Sequence, residues 1–196
     1  MPERELRAGY AEVVKYGLLG DATFFTWLEE NSSAVLALEP NAITQTIRRS
    51  CEAKALIVEA DEREAGKRTL LNLGHTFAHA FEAEAGYNGS LLHGEAVAAG
   101  LGLAFDLSVD LGVCAANHAT RCKAHLHTVG LPSGQSGLAT DKVPARRLIE
   151  HMKHDKKIRH GKLHFILVRA IGDAFVCGDV PSDKVKALLE RDQNVV

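Results

Sequence analysis

The chain has 196 residues, of which 46% are hydrophobic and 24% are charged. This length gives room for one sizeable domain or two small ones, and the composition is ordinary for a soluble globular protein. The formal net charge of -2 and the isoelectric point of about 6.5 exclude the strongly basic surface of nucleic-acid-binding proteins and of polybasic membrane anchors.

The cysteines and the apolar segments predict a cytoplasmic protein that does not contact a membrane. The four cysteines are Cys51, Cys114, Cys122 and Cys177. None forms a CxxC pair, so free thiols in a reducing cytoplasm are expected. The start of the chain, Met1–Glu5, lacks the apolar core of a signal peptide. The longest apolar run, Ala96–Phe105, is too short to cross a bilayer and predicts a buried helix.

Most of the chain has the apolar period of α-helices. The predicted helices are Glu5–Leu19, Asp21–Glu30, Asn41–Glu64, Thr69–Ala85, Leu92–Val113, Ala115–Val129, Val143–His154 and Ser182–Arg191. Asp21 and Asn41 are predicted N-caps, and Gly86 is predicted to end its helix.

Only one stretch has the character of β-strands. Lys162–Arg169 and Ala174–Cys177 are separated by Ile171–Asp173, which predicts a hairpin. The βαβ alternation and the GxGxxG motif of a dinucleotide-binding sheet do not occur in the sequence. The predicted fold is therefore mainly α: one multihelical domain over residues 1–196 with one small β-hairpin.

Two stripes of different chemistry follow the predicted helix Thr69–Ala85. The apolar stripe contains Leu70, Leu73, Phe77 and Phe81, and the polar stripe contains Arg68, Asn72, His75 and His79. A solvated face usually mixes lysine with glutamate, whereas these polar groups bind anions, hydroxyls and metals. The alternative is a polar face with two incidental histidines. Positions 76 and 77 are Thr and Phe, so the general-base glutamate of an HExxH zinc protease is missing.

Three further positions are candidates for a metal or anion site. His93 begins the most apolar predicted helix, where an imidazole needs a polar partner; the alternative is an ordinary hydrogen-bonded core histidine. Glu12 and Lys15 lie one turn apart, which fits either a metal carboxylate beside an anion-binding lysine or a plain i,i+3 ion pair. Two histidines and one glutamate would leave a coordination position open, as in catalytic zinc sites, and cobalt would also fit.

The remaining lysine and histidine candidates are less distinctive. The predicted apolar stripe of the helix Asn41–Glu64 is Ile43, Ile47, Cys51, Ala55 and Val58. Lys54 falls on this stripe, so it either snorkels to solvent or enters a polar cavity. Six other histidines lie among charged residues and are predicted to be solvated: His118, His125, His127, His151, His160 and His164.

Several segments together resemble 3-dehydroquinate synthase. They are Arg7–Gly17, Lys54, Asp61–Glu64, Asn72–Glu82, Leu92–Val97 and Asp155–Lys157, in the same order and over nearly the whole chain. Tyr10 is a departure, because leucine is usual there. Another is His154 before Asp155.

The resemblance implies a role for each matching residue. Zinc, or cobalt, would be bound by Glu12, His75 and His93. Substrate would be contacted by Lys15, Lys54, Arg68, Asn72, His79 and Lys156, with Lys157 as the alternative to Lys156. Glu64 would support the site through the residues that contact metal or substrate.

The resemblance also implies a reaction. The family converts 3-deoxy-D-arabino-heptulosonate 7-phosphate into 3-dehydroquinate in the shikimate pathway, with NAD and a divalent metal. A substrate hydroxyl is transiently oxidised by NAD, phosphate is eliminated, the ketone is reduced again, and an intramolecular aldol step closes the ring. Another sugar-phosphate cyclase, or a non-catalytic helical interaction domain, is the alternative.

The family's NAD-binding domain has no counterpart in this sequence, which begins at what resembles the junction between the two domains. We therefore expect the chain alone to bind metal without turnover. The expected partners are the sugar-phosphate substrate and either a second copy of the chain in a homodimer or an NAD-binding domain.

Overall fold

The computed structural model describes residues 1–59, 67–138, 142–155 and 163–194. These residues form eight α-helices, two 3-10 helices and a two-stranded sheet. The helices are α1 (Glu3–Gly20), α2 (Ala22–Leu36), α3 (Pro40–Glu59), α4 (His75–Glu84), α5 (His93–Asp110), α6 (Ala116–Thr128), α7 (Ala145–Asp155) and α8 (Ser182–Gln193), the 3-10 helices are Lys67–Asn72 and Gln135–Gly137, and the strands are β1 (Leu163–Ala170) and β2 (Asp173–Val180). The prediction of a mainly helical fold with one hairpin is confirmed.

Helix α5 lies at the centre of the core. Its residues from Ala96 to Phe105 are all buried, and α1, α4, α6, α8 and β1 pack around it. A helix that is apolar on every side has to be surrounded by other elements. Because many residues of α5 are Ala or Gly, their small side chains let neighbouring elements pack close to the α5 backbone.

The hairpin closes one side of this core. Strands β1 and β2 are antiparallel, with Phe165 opposite Cys177 and Leu167 opposite Phe175. Gly172 lies in the turn with a φ of 83°, a conformation that glycine adopts without strain. Its N–H donates to the Leu18 carbonyl at 2.9 Å, so the turn is attached to the end of α1.

One of the two predicted N-caps is confirmed and the other is wrong. Asp21 caps α2 as predicted, because its Oδ1 accepts the Phe24 N–H at 2.8 Å. The prediction of Asn41 as a cap is wrong: α3 begins at Pro40, and Asn41 lies within its first turn. Proline is favoured at a first helical position because its missing N–H would have no helical acceptor there.

The predicted apolar stripe of α3 is also wrong. The buried residues of α3 are Ala42 and Thr46, whereas Ile47 is 58% exposed and Cys51 and Ala55 are exposed. The middle of the predicted stripe therefore faces outward, whereas Ile43 and Ile57 are partly buried and pack against the core on the same helix as Ala42 and Thr46. Small side chains permit a close approach between helices, which apolarity alone does not reveal.

Two further findings concern the described residues only. No helix among them is both long enough and apolar enough to span a bilayer. All four cysteines are unpaired, with Cys114 and Cys122 buried and Cys51 exposed.

Candidate metal centre

Close backbone contacts between α1, α4 and α5 assemble the site. A Cβ atom built on Gly94 would lie 1.8 Å from the Ala8 carbonyl oxygen, and one built on Gly100 would lie 2.2 Å from the Gly74 carbonyl oxygen. Helix α5 therefore touches the α1 backbone at one point and the start of α4 at another. His93 adjoins the first contact and His75 adjoins the second, so the glycines bring both imidazoles toward α1.

Three side chains from these helices converge. One ligand atom each from Glu12, His75 and His93 lies within 4.8 Å of the other two. Oε1 of Glu12 is 3.8 Å from Nε2 of His75 and 3.7 Å from Nε2 of His93. Ligand atoms roughly 2.0–2.2 Å from a tetrahedral zinc ion are about 3.3–3.6 Å apart, so the cluster is slightly wider than such a site.

The second nitrogen of each imidazole is held by an acceptor. Nδ1 of His75 lies 3.1 Å from the Leu73 carbonyl oxygen, and Nδ1 of His93 lies 2.9 Å from Oε1 of Glu82. A carbonyl and an ionised carboxylate only accept, so both Nδ1 atoms carry the hydrogen. In the neutral rings, both Nε2 atoms then have free lone pairs on the side of Glu12.

The two carboxylate oxygens of Glu12 have different surroundings. Oε2 pairs with the Lys15 ammonium at 2.7 Å, and the lysine is only 4% exposed. Oε1 is buried and has no hydrogen-bond partner among the described residues. A buried oxygen without a donor is costly, and two imidazole lone pairs beside it supply none. A cation at this point would satisfy all three groups, so this donor set fits a divalent metal.

The electrostatic surroundings keep His75 neutral. Burial and the nearby Lys15 charge together lower the pKa of His75 to about 4, although the Leu73 carbonyl and Glu12 act in the opposite direction. At neutral pH the imidazole therefore carries no charge. Neutral imidazole is the form that ligates a metal.

His79, Arg68 and Asn72 lie on the same stretch of chain but not on one continuous helix. The predicted helix Thr69–Ala85 is wrong in its first part: a 3-10 helix ends at Asn72 and α4 begins at His75. Gly74 between them has a φ of 81°, which interrupts the helix so that the chain can pass close to α5.

The break separates the polar stripe into two parts. The rings of His79 and His75 meet edge to face with centroids 5.5 Å apart. Arg68 and Asn72 are exposed on the preceding 3-10 helix. The apolar stripe lies inside as predicted, with Leu73, Phe77 and Phe81 buried and Leu70 partly buried.

Among the described residues, the predicted substrate contact Lys54 is not part of this cluster. Lys54 is exposed on the outward face of α3. Glu64, Lys156 and Lys157 lie outside the described residues, so the roles predicted for them stay predictions. The described part of the site is therefore Glu12, Lys15, His75, His79 and His93.

Sequence patterns missed two polar contacts. Glu82, whose side chain is 14% exposed, bonds His93; its signal was its position seven residues after His75, on the same helix face. The prediction that His125 is solvated is wrong, because it is 4% exposed and lies 3.1 Å from the Tyr10 hydroxyl. Its ring also packs against the ring of Phe25, with centroids 5.3 Å apart.

A comparison with known families decides the identity of this domain. The family described as 3-dehydroquinate synthase C-terminal matches residues 9–158. The chain belongs to this family. Membership confirms the resemblance that the motifs indicated.

Among relatives of the 3-dehydroquinate synthase family, the synthase of a Ruegeria strain is 52% identical over 191 residues, and that of Cereibacter sphaeroides is 53% identical over 190 residues. Each alignment covers 97% of this chain and 51% of the relative. The chain thus spans about half the length of the curated relatives it matches.

Solved structures share the fold. The structure of 2-epi-5-epi-valiolone synthase from Streptomyces hygroscopicus subsp. jinggangensis, with NAD+ and Zn2+ bound, superposes with a TM-score of 0.84 at 27% identity and covers 97% of this chain and 52% of that one. A 2-deoxy-scyllo-inosose synthase structure superposes with a TM-score of 0.81 at 22% identity, covering 98% of this chain and 53% of that one. The second similarity concerns the fold alone.

Proposed function

We propose that this chain supplies the zinc- and substrate-binding site of a 3-dehydroquinate synthase. The observation that carries the proposal is the buried, unpartnered Oε1 of Glu12, which faces the Nε2 atoms of His75 and His93 at 3.8 and 3.7 Å. The identity of about half of the residues with synthases of that name supports the choice of reaction.

The metal would be held by Glu12, His75 and His93. Bound zinc would supply Lewis acidity at a substrate hydroxyl, and NAD held by a separate segment would supply the hydride acceptor. Three protein ligands leave a coordination position open to substrate, as a catalytic site requires. Cobalt would suit the same nitrogen and oxygen donors.

Lys15 has two tasks in this proposal. Its ammonium holds one oxygen of Glu12 at 2.7 Å, so the other oxygen stays directed at the imidazoles. Its positive charge also favours an anionic substrate near the cluster. His79, whose ring lies against the edge of the His75 ring, would donate a hydrogen bond to a substrate hydroxyl or phosphate oxygen.

The predicted substrate contacts outside the cluster would bind the substrate's phosphate and carboxylate. Arg68 and Asn72 lie on the 3-10 helix that directly precedes α4, the helix that begins at His75. Lys54 and Lys156 complete the proposed set, and Glu64 would support it. Orientation of the substrate by such contacts lowers the entropic part of the barrier.

Turnover would require an NAD-binding segment as a partner. The described residues form one antiparallel hairpin and no parallel sheet of the kind that binds dinucleotides. We expect the chain alone to bind metal without releasing phosphate from 3-deoxy-D-arabino-heptulosonate 7-phosphate. Adding the NAD-binding half of a close relative should restore phosphate release and 3-dehydroquinate formation.

A second candidate is a cyclase that acts on another sugar phosphate. The TM-score of 0.84 with 2-epi-5-epi-valiolone synthase favours it, although the sequence identity is only 27%. The restored enzyme distinguishes the two by its product. Release of phosphate without formation of 3-dehydroquinate, from a different sugar phosphate, would favour the second candidate.

The metal content of the purified chain tests the site itself. Mass spectrometry of the native protein should show about one zinc ion per chain, and Glu12→Ala, His75→Ala and His93→Ala should each lose it. His151→Ala is the matched control, because His151 also pairs with a glutamate but lies on α7, outside the cluster. Stoichiometric metal in all three cluster variants would refute the assignment and favour a non-catalytic helical domain.

A further inference from the structure

Glu82 makes a contact with His93 that the proposed function does not use. Its Oε1 lies 2.9 Å from Nδ1 of His93, and its side chain is 14% exposed. Glu82 is on α4 and His93 is the first residue of α5, so the contact joins the two helices across the site. A carboxylate with so little solvent exposure needs a hydrogen-bond donor from the protein, and the imidazole N–H of His93 provides one.

His93 depends on this contact more than His75 depends on its own acceptor. The His93 side chain is 50% exposed, whereas that of His75 is 13% exposed and held by the Leu73 carbonyl. A half-exposed imidazole at a helix start can change rotamer, and in water a neutral imidazole populates both tautomers. The Glu82 carboxylate fixes both the rotamer and the tautomer of His93, because it accepts a hydrogen bond from Nδ1 and only in one ring orientation.

We propose that Glu82 is a positioning residue that fixes His93 with its hydrogen on Nδ1 and its Nε2 lone pair directed at Glu12 and His75. The inference rests on the proposed metal site and deepens it. The carboxylate–histidine pair would raise the basicity of the ligand nitrogen and fix its direction before the metal arrives. Glu82 itself does not touch the metal in this proposal.

The same helix offers a matched control. Glu84 lies two residues farther along α4, its side chain is 15% exposed, and its Oε2 lies 2.9 Å from Nε2 of His151. It thus forms a glutamate–histidine pair of the same length away from the cluster, and its Oε1 also pairs with Arg147 at 2.8 Å. Glu84→Ala breaks both of these contacts, so it should disturb α4 at least as much as Glu82→Ala, without affecting His93.

Two measurements on the full chain test the proposal. The first is the tautomer of His93 in the metal-free protein, from long-range 1H–15N correlation spectra of the imidazole. The native protein and Glu84→Ala should show the Nδ1–H form, and Glu82→Ala should show a mixture of the two tautomers. The second is the zinc dissociation constant, from competition with a chromophoric chelator.

The expected zinc affinities follow from the lost contact. Glu82→Ala should weaken zinc binding about 10- to 100-fold, as the loss of outer-shell partners commonly does. Glu82→Gln should recover part of this loss, because its amide oxygen accepts the same N–H without the charge. Glu84→Ala should bind zinc as the native protein does.

The contrary outcomes distinguish failure of the Glu82 proposal from failure of the proposed metal site. A native His93 with its hydrogen on Nε2, or a Glu82→Ala affinity equal to that of Glu84→Ala, would overturn the role of Glu82. Absence of zinc binding by the native protein would instead refute the proposed function, while the tautomer measurement would still decide whether Glu82 fixes His93.

Discussion

Gly94 packs its Cα directly against the backbone carbonyl of Ala8. A methyl group at position 94 would lie 1.8 Å from that oxygen, well inside van der Waals contact. The neighbouring His93 and the Glu12 carboxylate, one turn after Ala8, face each other at 3.7 Å. The spacing between two proposed metal ligands is therefore set by a backbone contact in which neither takes part.

Replacement of Gly94 by alanine should separate α1 from α5. The clash involves backbone on both sides, so the helices have to move, and overpacking of this kind costs about 1–3 kcal/mol. We expect Gly94→Ala to lower the midpoint of urea denaturation and to weaken zinc binding together. Gly9→Ala is the control, because a methyl group there meets nothing within 4 Å. The control should be neutral or stabilising by up to about 1 kcal/mol.

Free zinc should raise the melting temperature of the native chain. A ligand that binds only the folded state adds roughly 1.4 kcal/mol for each tenfold increase above its dissociation constant. In a domain of this size, that corresponds to a shift of about 3–5 °C. Scanning calorimetry in zinc buffers should show this dependence in the native protein and not in His75→Ala. A melting temperature that a chelator leaves unchanged would contradict an occupied site.

Acid should destabilise the chain partly through His125. Burial lowers the pKa of His125, the Arg121 charge acts in the same direction, and Glu29 opposes both. Because the folded-state pKa is below the unfolded value of about 6.5, the neutral ring contributes its full stability above that pH. This contribution is lost as the pH falls below about 6.5.

The variant His125→Gln isolates this effect. Urea denaturation with a chelator present should show a smaller loss of stability between pH 7 and pH 5 in the variant than in the native chain. The chelator matters because metal release would add its own pH dependence. His75, whose pKa is also lowered, contributes equally to both proteins and cancels in the difference. Equal slopes would mean that His125 does not resist protonation.

Phe77 should support the site only through stability. Its ring is fully buried on the apolar face of α4, 5.3 Å from the ring of Phe165 on β1. Phe77→Ala should lower the free energy of unfolding by about 3–5 kcal/mol because it leaves a cavity. The variant that remains folded should bind zinc with nearly native affinity. Val113→Ala, at a position 40% exposed, should change stability by less than about 0.5 kcal/mol.

Several residues of the site were predictable because their chemistry contrasts with their surroundings. His75 and His79 follow a 3.6-residue period beside an apolar stripe, and His93 begins an apolar helix. Periodicity reports which face of a helix is buried, so Leu73, Phe77 and Phe81 were placed correctly. The division of roles between His75 and His79 came from the family resemblance, because both imidazoles lie on the same face.

Other features depend on contacts between distant segments. Gly74 interrupts a stretch that has helical period on both sides, and the reason is the α5 backbone, which lies against it. The middle of the stripe predicted on α3 has good helical period but is exposed, because Ala42 and Thr46 are the residues that α3 buries. A hydrophobic pattern shows which residues are apolar, but it does not show which apolar face packs against another element.

The sequence by itself determined the helical class, the hairpin and the residue types of the proposed metal site, since these follow from local period and side-chain chemistry. Only the tertiary structure decided that Glu12, His75 and His93 meet, that Lys15 holds one oxygen of Glu12, and that Glu82 holds His93. These residues are up to 81 positions apart, from Glu12 to His93. Their meeting depends on the backbone contacts at Gly94 and Gly100, where the absence of a side chain lets three helices touch.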